Sequence, residues 1–143
     1  MEDRTARLER SVMEWYDENP DKLRRVHGIV RKNKGEISLR VLEHFVTNYI
    51  SKNKVVLPNP RTPGDVVDVH SSYKEQLRCF HKVLFDPFCR SSCVGGKRDV
   101  SRRKRQSGKS PSLRQLNFFR WAFRTGVLDY VSEHVGEIVS DMN

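Results

Sequence analysis

The sequence predicts a mainly α fold, a compact bundle of about five to six helices with one short β-hairpin as an optional addition. Three observations lead there. Phe, Trp and Tyr recur with the aliphatic residues at helical spacings. Helix-ending signals such as Asn19-Pro20, Gly35 and Asp86-Pro87 separate those periodic stretches. A change to proline-rich character is confined to 53–69, where Pro58, Pro60, Pro63 and Gly64 break any helix. At 143 residues the chain is expected to be a single domain, 1–143, with a basic flexible loop at 91–111.

The first helix is expected from Glu2 to Glu18, with Leu8, Val12, Trp15 and Tyr16 on one stripe. Asn19 can cap the second helix, and Pro20 suits its first position, where a missing N–H needs no partner. Leu23, Val26, Ile29 and Val30 form that helix's apolar face, and Gly35 marks its end. Ser38 caps a third helix, in which Leu39, Leu42, Phe45, Val46, Tyr49 and Ile50 make a wide apolar stripe. His44 lies beside that stripe and reads as a packed or half-exposed side chain. Lys54–Leu57 and Val66–Val69 can form two short strands, or the segment can be a bare loop.

Ser71 or Ser72 starts a fourth helix, in which Tyr73, Leu77, Phe80 and Leu84 recur with clean helical periodicity. Asp86-Pro87 stops it, because a residue before proline avoids the helical region. Phe88-Cys89-Arg90 reads as a short extended continuation. Ser112 and Gln115 have capping-box spacing at the start of a fifth helix. There Leu116, Phe118, Phe119, Ala122 and Phe123 form the expected buried arc. Asn117, Arg120 and Arg124 fall on the opposite side, flanked by Arg114 and Trp121. Thr125-Gly126 ends it, and a sixth helix runs from Val127 to Val139 with Asp129, Glu133 and Glu137 as its charges.

Charge is distributed very unevenly. The stretch 97–124, KRDVSRRKRQSGKSPSLRQLNFFRWAFR, carries ten basic residues against Asp99 alone, and its net +9 equals that of the whole chain. Outside it the charges cancel. An anionic partner is therefore expected to bind here, nucleic acid above all, and sequence-independent phosphate contacts would come from Lys97, Arg98, Arg102, Arg103, Lys104, Arg105 and Lys109. Arg114, Asn117, Arg120 and Arg124 would extend that surface onto an ordered helix, with Trp121 able to stack on a base. The alternative is a solvated loop beside a core helix. Lys97-Arg98 and 102–105 also read as nuclear import clusters. The turn at Thr125-Gly126 suggests a helix-turn-helix, but its second helix is acidic and phosphates would repel it.

Enzymatic signatures are absent. Ser107-Gly108-Lys109-Ser110 mimics the end of a phosphate loop, but the pattern needs glycine where Arg103 stands. No G-x-S-x-G, H-E-x-x-H or paired-carboxylate signature occurs. Cys79, His81, Cys89 and Cys93, with His70 nearby, are zinc-ligand types at a spacing that fits no familiar finger. The expectation is no catalysis, no cofactor and no metal. The first residues carry no signal peptide, no apolar run approaches the ~20 residues that span a bilayer, and three cysteines are best read as reduced, so an intracellular protein without membrane contact is expected.

Several blocks carry a resemblance: ISLRVLEHFVTNYISKNK at 37–54, YKEQL at 73–77, FDPFCR at 85–90, QLNFFRWAF at 115–123 with VLDYV at 127–131, and the terminal DMN. Together they resemble a small protein family of nucleocytoplasmic large DNA viruses, iridovirus-like members included. The resemblance implies an infected eukaryotic cell, with the host nucleus, the cytoplasm or the virion as location, and a large DNA genome as an available partner. It supplies no activity and no functional residues. The expected function is a non-enzymatic viral accessory protein that binds nucleic acid, DNA in the first place, without sequence preference. The alternative is a component that binds other viral proteins or builds the virion, its basic run serving as import signal or tether.

Overall fold

The fold is seen in a computed structural model, which describes residues 3–87 and 111–143. Among the described residues there are seven helices and one two-stranded antiparallel hairpin, so the mainly helical expectation holds and the hairpin is real. The extended piece expected at 88–90 and the basic loop at 91–111, Pro111 apart, lie outside the described residues.

Helix α1 spans Arg4–Glu18, and Asp3 caps it by accepting from the Ala6 N–H at 2.8 Å. Its inner stripe is Leu8, Val12 and Tyr16, with Trp15 half-buried at the edge. Helix α2, Pro20–Val30, begins with the expected proline, but Asn19 does not cap it with its side chain. The Asn19 amide instead donates back to the Trp15 carbonyl at 2.8 Å, answering an orphan C=O at the end of α1. Helix α2 also stops at Val30, short of Gly35, because Lys32 takes a left-handed φ of 61°.

Helix α3 is capped by Ser38, as expected, and runs through Leu39–His44, a π-helical turn Phe45–Tyr49 and Ile50–Lys52. Leu42, Phe45, Val46 and Ile50 are buried along it. The Thr47 hydroxyl donates to the Glu43 carbonyl at 2.7 Å within the widened stretch. Strands β1, Val56–Pro58, and β2, Val66–Asp68, pair with Val56 opposite Asp68 and Pro58 opposite Val66. Gly64, at φ 92°, supplies the left-handed residue of the connecting turn.

Helix α4, Val69–Leu84, starts earlier than its serines suggested, because the Asp68 carboxylate caps it by accepting from the Ser71 N–H at 3.2 Å. A break at His81, φ 59° and ψ 170°, lets the chain turn, so that Phe85 is fully buried against Tyr73, Phe118 and Trp121. Helix α5, Leu113–Thr125, has both bonds of the expected capping box, Gln115 N–H to Ser112 Oγ and Ser112 N–H to Gln115 Oε1. Gly126, at φ 85°, ends it in a left-handed cap. The expected sixth helix is two, α6 at Val127–Glu133 and α7 at Val135–Met142. They part at His134, whose Nδ1 lies 2.8 Å from the Tyr130 carbonyl and whose ring stacks on Tyr130. Helix α5 is the axis of the bundle and touches α1, α2, α4 and α6.

The last helix is fastened to α3. Asp141 Oδ2 lies 2.8 Å from His44 Nε2, and Asp141 Oδ1 lies 3.0 Å from Lys52 Nζ. The hydrogen bond with His44, then that from Lys52, holds the Asp141 carboxyl below the usual carboxylate range. A depressed carboxyl contributes fully above its ordinary value near ~4, and the contribution fades as pH falls through the lowered one. Acidification below ~4 is therefore expected to loosen α7, and Asp141→Asn to remove that part of the acid dependence. Thermal melts of both proteins between neutral and acid pH check this. Identical pH profiles would show that the fastening adds nothing.

Candidate functional site

Ten basic residues lead into α5 and along it. Its polar residues do not form the open face expected. Arg114, Gln115, Asn117 and Trp121 are all buried, Asn117 at 2% exposure. The cause is position: α1 and α4 cover the sides of α5 that an isolated wheel assigns to solvent. Two of these side chains answer backbone groups where α4 gives out. Asn117 Nδ2 donates to the Leu84 carbonyl at 2.8 Å, and Gln115 Nε2 donates to the Pro87 carbonyl at 2.9 Å. Helices leave their last carbonyls unpaired, so buried amides there are structural.

Trp121 is equally committed. Its indole N–H donates to Ser72 Oγ at 2.9 Å, and its ring packs among Tyr73, Phe85 and Phe118, so it is not free to stack on a base. Phe123, expected in the core, is only partly buried, near Trp15 with the Lys22 ammonium 5.8 Å from its ring centre. Arg114 and Asn117 therefore do not belong to an exposed basic stripe.

Arg120 and Arg124 remain. Arg120 is half-buried, not exposed as the wheel suggested: its guanidinium donates to Ser11 Oγ at 3.0 Å and to Asn117 Oδ1 at 3.3 Å, pinning α1 to α5. Burial and then the charge of Arg124 push its pKa down. Arg124 is exposed, and its pKa is pushed down by desolvation and then by the charge of Arg61. Arg120→Ala is expected to cost about 1 kcal/mol through those lost hydrogen bonds, whereas Arg124→Ala should stay within about 0.5 kcal/mol. Denaturant titration of the two variants checks the contrast, and equal, negligible changes would mean Arg120 braces nothing.

Arg61 is the residue sequence reasoning missed. It sits in the hairpin turn, where its N–H donates to Asn59 Oδ1 at 2.9 Å. Arg61, Arg120 and Arg124 line one groove of about 450 Å³ between the hairpin, α4 and α5. Asn59 and Gln76 add amide groups to it, and no carboxylate lines it among the described residues. A second hollow, about 320 Å³, lies beside α2 and α6, but there Asp21 and Asp129 offset Lys22 and Arg25. The arginine groove is thus the more strongly cationic of the two.

Lys97, Arg98, Arg102, Arg103, Lys104, Arg105 and Lys109 lie outside the described residues, as do Cys89 and Cys93. Among the described residues no group of three or more His, Cys, Asp or Glu could hold a metal, and no helix is long and apolar enough to cross a membrane.

Comparison with known proteins gives a family. A family model described as a family of unknown function, DUF7197, matches residues 19–143. An uncharacterized protein of Acanthamoeba polyphaga mimivirus is 41% identical over 109 residues, which is 75% of this chain and 42% of the relative. The chain thus spans less than half the length of that relative. No solved structure matches. The chain belongs to the DUF7197 family, and its giant-virus relative agrees with the resemblance to large DNA virus proteins. The narrower iridovirus-like likeness is not shown by these matches.

Proposed function

We propose that this member of the DUF7197 family is a non-enzymatic viral accessory protein that binds nucleic acid through its phosphates. The observation that carries the reading is the groove that gathers Arg61, Arg120 and Arg124 with no carboxylate lining it among the described residues. Guanidinium groups suit phosphate oxygens because their fixed fork of donors matches that geometry. The basic run Lys97, Arg98, Arg102, Arg103, Lys104, Arg105 and Lys109 supplies further cations next to α5 in sequence. Such contacts position a chain on a duplex without reading bases, so binding is indifferent to sequence. DNA is the first candidate, and the host nucleus or cytoplasm, or the virion, the place of action. The test is fluorescence anisotropy with two labelled duplexes of unrelated sequence at low salt. Equal affinities are expected. Binding to neither, or strong preference for one, would overturn the reading.

The burial of Arg114 and Asn117 favours a second reading, because it shortens the cationic face of α5. In it the protein binds other viral proteins or builds the virion, and the basic run is an import signal or tether. A reporter fused to residues 97–109 separates the two. Nuclear accumulation of the reporter, together with no duplex binding by the whole chain, would favour the second.

A further inference from the structure

We infer that the groove between the hairpin and α5 is a discrete site for a phosphomonoester, either a free nucleotide or the phosphorylated end of a strand; this deepens, and rests on, the phosphate-binding reading above. The groove holds uncompensated charge. Among the described residues, Arg61 and Arg124 make no side-chain hydrogen bond or ion pair, and Arg120 bonds only to the neutral groups of Ser11 and Asn117. Each of the Arg120 and Arg124 guanidiniums has its pKa lowered first by desolvation and then by the next cation, Arg124 for the one and Arg61 for the other. Arg124 thus feels a cation on either side, and because all three line one groove an anion seated there relieves that repulsion.

The number of charges selects the anion. An internal phosphodiester carries one negative charge, whereas a terminal phosphate carries about −1.5 to −2 at neutral pH and three strong acceptor oxygens. Three cations, with no carboxylate beside them among the described residues, match the terminal group better. The geometry is also prepared. The backbone of Arg61 is held by the Asn59 side chain and by the turn bond from the Asp65 N–H to the Thr62 carbonyl at 3.1 Å, and the Arg120 guanidinium is braced by Ser11 and Asn117. The space exceeds one phosphate: about 450 Å³ falls in the range of sites that hold a small organic ligand, roughly 300–1,000 Å³. Val67 and Phe80 give that remaining space apolar wall, and Asn59 and Gln76 give it amides that can donate and accept. A nucleoside attached to the phosphate has both kinds of surface.

The experiment compares phosphorylated and unphosphorylated forms of the same compounds on the full chain. Calorimetric titration uses adenosine 5′-monophosphate against adenosine, and a blunt DNA hairpin with a 5′-phosphate against one with a 5′-hydroxyl. The phosphorylated form of at least one pair is expected to bind about tenfold tighter or more, the effect of one charged hydrogen-bonded contact. A preference in the adenosine pair identifies a free nucleotide as a sufficient ligand, and one confined to the hairpin pair identifies a strand end. The double variant Arg61→Ala with Arg124→Ala alters two exposed side chains and should melt like the parent while losing the preference. No preference in either pair, or a preference that survives in the Arg61/Arg124 variant, would overturn the site. Unphosphorylated duplex that still binds in that event would leave the general nucleic-acid reading standing. A phosphate preference without any duplex binding would leave the site and remove that reading.

Discussion

Phe118→Ala is expected to destabilise the protein by about 3–5 kcal/mol, a large share of the ~5–15 kcal/mol available to a small domain. Phe118 is fully buried, and its ring lies 5.3 Å from that of Phe85, 5.5 Å from Phe119 and 5.6 Å from Trp121, centre to centre. Those contacts join the axis helix to the segment beyond the α4 break. Truncation removes the buried ring and leaves a cavity whose walls are aromatic side chains already engaged elsewhere: Trp121 is held by Ser72, and Phe85 packs on Tyr73. Collapse into the space is therefore limited, and the cost should sit within the usual range for a buried aromatic. Phe123→Ala, at a half-buried position, should cost less. Chemical denaturation of both variants checks the order. A loss below ~1 kcal/mol for Phe118→Ala would mean that the cluster is not packed as described.

Replacing Arg102, Arg103, Lys104 and Arg105 by Ala is expected to weaken duplex binding by about 10²–10⁴-fold at low salt, without lowering the melting temperature. Counterion release sets the size of the effect: each phosphate neutralised contributes roughly 0.9 to the slope of log affinity against log salt. Four engaged cations thus account for a slope shallower by about three to four in the variant, and for a difference that shrinks as salt rises. Anisotropy titrations at several salt concentrations measure both quantities. Unchanged affinity and slope would place binding elsewhere, on the arginine groove or nowhere.

Local signals were legible in the sequence. Ser112 with Gln115 and Ser38 cap their helices as their spacing suggested, because a capping bond depends on residues three apart and little else. Asp68 was hidden behind two adjacent serines that are equally good caps on paper. The run of turn residues between two short apolar stretches left a hairpin and a bare loop both open, and the two strands do pair. What failed was the outer face of α5. A helical wheel knows the polarity of Asn117 and Arg114, but not that α4 ends beside them and leaves the Leu84 carbonyl to be answered. Gln115 serves Pro87 in the same way. Buried amides that repair the end of another helix look identical, in sequence, to amides that face water. Arg61 was missed for a related reason: nothing near it in the chain indicates that it lines one groove with Arg120 and Arg124. The candidate groove is a product of tertiary structure, whereas the basic run is visible by reading alone.

The dependence of duplex affinity on salt for the unaltered chain is the most direct measurement of all. The expected result is measurable binding at about 50 mM salt, and a straight, steeply negative plot of log affinity against log salt whose slope corresponds to several phosphates and is the same for unrelated sequences. No binding at that salt, or an affinity that barely changes as salt is raised, would contradict nucleic-acid recognition by the arginine groove and the basic run alike.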